Sequence, residues 1–127
     1  MSSRRALIID DEPDVATDLG TLLSDHGWNV RMAHDVNKGL ELAREDIPDV
    51  VLLDLMMPDR GGLSALVELR KSARLGEVPI VIVSGIQETL TADFRNFLKR
   101  FKYRQADAFL DKPVEPEQLL AKLDELG

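Results

Sequence analysis

Polar residues stand wherever the apolar runs of this chain stop. Asp10, Asp11 and Glu12 follow Ala6-Leu7-Ile8-Ile9, and Asp54 follows Val50-Val51-Leu52-Leu53. Ser84 follows Val78-Pro79-Ile80-Val81-Ile82-Val83, and Lys112 comes soon after Ala108-Phe109-Leu110. Singly, each fits an ordinary turn or an acidic helix start. Together they suggest chemistry. Crowded carboxylates repel one another unless a cation sits among them. An all-oxygen donor set suits a hard cation, and Mg²⁺ typically takes one or two carboxylates plus water and substrate phosphate. A carboxylate can also attack phosphorus and form an aspartyl phosphate. A metal, a lysine and a hydroxyl would then stabilise the charge on the equatorial oxygens. The parts are present: Asp54 as nucleophile, Asp10 and Asp11 for the metal, Lys112 and Ser84 for the phosphoryl oxygens.

These residues can meet only if the elements between them bring one edge of a sheet together. An apolar run without alternation fits a strand buried on both faces, as in a parallel sheet covered by helices. After the first run, Pro13 suits a first helical turn, and Val15, Ala16, Leu19, Leu22 and Leu23 recur at helical spacing before Gly27. Asn29 to Ala33 reads as a second, more exposed strand. Asp35 can cap a helix carrying Val36, Leu40 and Ala43, which Pro48 closes off. Past the central run come the Gly61-Gly62 loop and a third helix with Leu63, Leu66, Val67 and Leu69, ending near Gly76. Leu90, Phe94, Phe97, Leu98 and Phe101 mark a fourth helix, and Glu115 to Leu126 a fifth. The alternation βαβαβαβαβα predicts an α/β fold: a doubly wound five-stranded parallel sheet with right-handed crossovers and strand order 2-1-3-4-5. Strands one and three then lie side by side, which brings Asp10, Asp11 and Asp54 to one edge, with Ser84 and Lys112 on the same edge.

At 127 residues the chain suits one domain, 1–127, large enough for a real core. With 44% hydrophobic and 31% charged residues it reads as globular. No apolar stretch reaches the length of a membrane span, and the basic start is followed by too short an apolar run for a signal peptide. The absence of Cys removes any disulfide framework or thiolate metal site, and a cytoplasmic location is expected. A net charge of −7 argues against nucleic acid as a partner.

The chain resembles the receiver domains of two-component response regulators, the CheY-like fold. The pieces that carry the resemblance are Ile8-Ile9-Asp10-Asp11-Glu12-Pro13, Leu53-Asp54-Leu55-Met56-Met57-Pro58-Asp59, Val83-Ser84-Gly85 and Leu110-Asp111-Lys112-Pro113. They occur in the family's order and spacing and span essentially the whole chain. The resemblance implies that Asp54 is the phosphoacceptor and that a histidine kinase or histidine phosphotransfer protein is the donor. It further implies that Asp11, Asp54 and the backbone carbonyl of Met56 bind Mg²⁺, with Asp10 acting through water. Phe109 falls on the family's aromatic switch position and would follow Ser84 inward. Output would come from contact with a downstream protein, through the face made by the fourth helix, the fifth strand and the fifth helix; the resemblance leaves room for a homodimer through the same face. No turnover of a separate substrate is implied. The chain departs from the compact pattern between Ser84 and Lys112, where it is several residues longer and the region 86–105 is extended, with the extra material around Gln87 to Gln105.

Alternatives follow from other readings of the same residues. A flavodoxin-like cofactor binder would want hydroxyls and glycines in the first loop, where Asp10-Asp11-Glu12 is anionic. A phosphatase with an Asp nucleophile would want an acid at Met56. A degenerate receiver would lack one of the acids, the hydroxyl or the lysine. Phe109 by itself reads as core, Glu12 as serving the helix start, and His26 and His34 receive no role. Met56 and Ile86, both apolar, would leave water poorly oriented and make loss of the phosphoryl group slow. Arg95, Lys99 and Lys102 share one face of the fourth helix and would steer an acidic partner.

Overall fold

The structure is a computed structural model that describes residues 4–54, 62–84 and 106–126, apart from the side chains of 62, 63 and 84. Met56, Gly85, Ile86, the fourth helix expected from Leu90 to Phe101, its basic face at Arg95, Lys99 and Lys102, and the long segment 86–105 all lie outside the described residues.

Nine elements follow in order among the described residues: β1 (Arg5–Ile9), α1 (Pro13–Asp25), β2 (Asn29–Ala33), α2 (Val36–Glu45), β3 (Val50–Leu53), α3 (Gly62–Lys71), β4 (Ile80–Ser84), β5 (Ala108–Asp111) and α4 (Pro116–Leu126). The five strands form one parallel sheet in the order β2-β1-β3-β4-β5. This is the doubly wound order expected from the alternation of elements.

Strand periodicity sorts the core into two layers. Leu7, Ile9, Val51, Leu53, Ile80 and Ile82 point to one side and pack with Val36, Leu40 and Ala43 of α2 and Ala65, Leu66 and Leu69 of α3. Their neighbours Ala6, Ile8, Val50, Leu52, Val81 and Val83 point to the other side and pack with Ala16, Leu19 and Leu23 of α1 and Leu119 and Leu123 of α4. Burial on both faces explains why the three central strands are apolar at nearly every position. The flanking strand β2 keeps only Ala33 buried and leaves Met32 41% exposed, which explains its weaker pattern.

Local chemistry sets the element ends. Pro13 opens α1, and Gly27, at φ 88°, closes it. A positive φ is open to glycine at little steric cost. The N–H groups of Gly27 and Trp28 return to the carbonyls of Ser24 and Leu23. Asp35 caps α2, its side chain accepting from Lys38 N at 2.7 Å. Two boundaries differ from expectation. Helix α3 ends at Lys71 rather than near Gly76, because the chain turns over 73–77 and Gly76 N donates to Ser72 O at 2.9 Å. Strand β4 begins at Ile80 rather than Val78, because Val78 N is bound to Leu75 O in that turn and Pro79 has no N–H to donate.

Candidate functional site

The register places the site. Ile9 of β1 stands opposite Leu53 of β3, so the next residues, Asp10 and Asp54, leave the sheet side by side. Each is held by one more backbone bond: Asp10 N donates to Ala33 O and Asp54 N donates to Ile9 O, both at 3.0 Å. Both carboxylates are almost fully enclosed, at 2% and 3% exposure. Asp10 Oδ1 accepts from Glu12 N at 2.9 Å, which fixes its orientation. Asp11 is half-buried and Glu12 exposed. Asp10, Asp11, Glu12 and Asp54 can each aim one carboxylate oxygen into a space where all four lie within 4.8 Å of one another.

Lys112 reaches this cluster from the end of β5, next to a cis Lys112-Pro113 peptide bond. Its Nζ lies 2.8 Å from Glu12 Oε1, 3.2 Å from Asp10 Oδ2 and 3.5 Å from Asp54 Oδ2. Burial works against the charge on Lys112. The hydrogen bond to Glu12 and the negative charges of Asp10 and Asp54 outweigh it, so its pKa is raised above the ordinary lysine range.

The donor set answers the question of a metal. It is all oxygen, it is anionic, and two of its members are enclosed, a chemistry that fits a small hard divalent cation. The Met56 carbonyl expected as a further ligand lies outside the described residues.

Ser84 ends β4 in register with Asp111, so its backbone sits at the same sheet edge as the acids and the lysine. Phe109 pairs with Ile82 and is 42% exposed. The reading of Phe109 as a core residue is therefore overturned: β5 flanks the sheet, and only Ala108 on it is buried.

Glu12 also departs from the sequence reading. It occupies the N-cap position of α1, but its side chain makes no capping hydrogen bond. The carboxylate turns instead to Lys112. Nothing in the local sequence signals a partner a hundred positions away. His34, given no role from sequence, donates from Nδ1 to the Asp10 carbonyl at 3.1 Å and braces the β1 end of the site. A polar residue just after the second strand of a 2-1-3-4-5 sheet was the available signal, since that strand ends beside Asp10.

Comparison with known proteins gives a consistent picture. The family described as response regulator receiver domain matches residues 6–124. The chain is 36% identical over 120 residues to the protein PilH of Pseudomonas aeruginosa, covering 94% of each. It is also 36% identical over 119 residues to the transcriptional regulatory protein DltR of Streptococcus agalactiae, of which it spans 50%. The chemotaxis protein CheY4 of Vibrio cholerae has the same fold, with a TM-score of 0.86 at 24% identity over 99% of this chain and 100% of that one.

Proposed function

The chain belongs to the response regulator receiver-domain family of two-component systems, and from that premise we propose that it is a Mg²⁺-dependent phosphoacceptor whose acceptor is Asp54. The observation that carries this reading is the position of Asp54. It is enclosed at the end of the central strand, with the Lys112 ammonium 3.5 Å from its Oδ2.

One carboxylate oxygen of Asp54 forms the new bond to phosphorus. The bond from phosphorus to the donor breaks, and the electron pair leaves on the imidazole nitrogen of a phosphohistidine or on the acetate of acetyl phosphate. Lys112, already at the acceptor, donates to a phosphoryl oxygen and offsets the incoming charge. Ser84 supplies a hydroxyl to another oxygen, and Phe109 follows it as the switch. Asp10, Asp11 and Asp54, with the Met56 carbonyl, hold Mg²⁺. Bound there, the metal would supply positive charge that offsets the carboxylates and the incoming phosphoryl group.

In this reading residues 1–127 act as a single receiver domain in the cytoplasm. A histidine kinase or histidine phosphotransfer protein is the donor, and a protein target receives the output. A homodimer through the face that includes β5 belongs to the same proposal. The domain performs its own phosphorylation and dephosphorylation and turns over no separate substrate. Nucleic acid and membrane are not partners of this domain. Among the described residues, no helix is long and apolar enough to cross a membrane.

Incubation with Mg²⁺ and acetyl phosphate, followed by intact-mass measurement, tests the acceptor. One base-labile phosphoryl group is expected on the parent and none on Asp54→Asn. Equal labelling of the two would remove Asp54 from the role.

A further inference from the structure

Lys112 is not centred on the buried aspartates. Its shortest contact is to Glu12, at 2.8 Å, against 3.2 Å to Asp10 and 3.5 Å to Asp54. The three partners differ in setting. The carboxylates of Asp10 and Asp54 are 2% and 3% exposed, whereas that of Glu12 is 58% exposed at the rim. Attraction between charges grows as water is excluded. An ammonium drawn by Asp10 and Asp54 alone would therefore settle on the enclosed pair. It sits toward the rim because Glu12 reaches in from the N-cap of α1, where its side chain makes no capping bond.

We propose that Glu12 is a positioning residue that acts on the metal site through Lys112: it draws the ammonium toward the rim and so loosens its hold on the Asp10 and Asp54 oxygens that a divalent cation would take. This rests on the metal reading of the site given above. Without Glu12, Lys112 moves inward onto Asp10 and Asp54 and competes with the cation for the same oxygens. The opposing account is that Glu12 acts directly, as one more negative charge or ligand near the metal. The two accounts diverge once Lys112 is removed.

Mg²⁺ affinity, measured by calorimetric titration of the unphosphorylated chain, reads the difference without any phosphodonor. Glu12→Gln should weaken Mg²⁺ binding by about fivefold in the parent, a coupling ordinary for residues in direct contact. In a Lys112→Met background the same substitution should change affinity less than about twofold. Glu12→Asp keeps the charge but loses a methylene of reach, so it should weaken binding much as Glu12→Gln does. Far-ultraviolet circular dichroism of each variant checks that the fold is kept. Should the Lys112→Met chain fail to fold, Lys112→Gln, which also removes the ammonium, takes its place in the same comparison. Equal loss from Glu12→Gln in both backgrounds, or no loss in either, overturns the inference while leaving the metal site in place. A parent that binds no Mg²⁺ overturns the metal reading itself.

Discussion

At the residue scale the site is governed by charges that have little freedom to spread. Lys112 is the clearest case, because its pKa is raised against the effect of burial. A raised folded value contributes stability that is complete below the unfolded lysine pKa of about 10.4 and disappears as pH rises through the folded value. The contribution should therefore be flat across neutral pH and vanish only in strongly alkaline solution. In metal-free buffer, urea unfolding should find Lys112→Met less stable than the parent by an amount that does not change between about pH 6 and about pH 9. A difference that shrinks within that window would mean that the three carboxylates hold the ammonium less firmly than their distances imply.

At the element scale two glycines show how tightly the helices sit on the sheet. Gly39 of α2 lies against β1, and a Cβ placed there would come within 2.5 Å of Ile9 Cδ1 and 2.7 Å of Ile9 Cγ1. Ile9 is fully buried and is the last residue before Asp10, so it has little room to yield. Gly39→Ala should cost about 1–3 kcal/mol by overpacking, measured by urea denaturation. Gly20 of α1 is the control. Its nearest neighbour would be Met32 Sδ at 3.4 Å, on a half-exposed flexible side chain. Gly20→Ala should be neutral or stabilising by a few tenths of a kcal/mol, since alanine is the better helix former by ~1 kcal/mol. If both substitutions cost the same, the helix-to-sheet distance at Gly39 is not the constraint described.

At the scale of the whole molecule the sheet is fastened at both ends by charge. Opposite the acidic edge, Arg70 of α3 has a fully enclosed side chain and donates to the carbonyls of Gly76 and Val78 at 3.0 and 2.7 Å. Its Nη2 donates to Asp107 Oδ2 at 3.1 Å, and the same oxygen accepts from Ile80 N at 2.8 Å. One carboxylate thus joins α3, the start of β4 and the start of β5. Removing one partner of a buried pair leaves the other charge uncompensated, so Asp107→Ala should lose about 3 kcal/mol in urea unfolding. A loss under about 1 kcal/mol would place this pair with ordinary surface ion pairs.

The amino-acid sequence by itself determined the alternation of elements, the strand order and the edge where chemistry gathers. Its signals there are local: unbroken apolar runs at Val50–Leu53 and Ile80–Val83, turn residues after them, and Asp10, Asp54 and Lys112 at the ends. A strand buried on both faces must be apolar throughout, and that need is written in consecutive residues. Only the tertiary structure decided which acid Lys112 prefers, that Glu12 leaves its helix cap, that His34 braces Asp10, and that Arg70 and Asp107 find each other. Those pairings join residues up to a hundred positions apart and depend on ångström differences in reach and on how far water is excluded. Composition and spacing along the chain encode neither quantity; both arise when the helices close over the sheet.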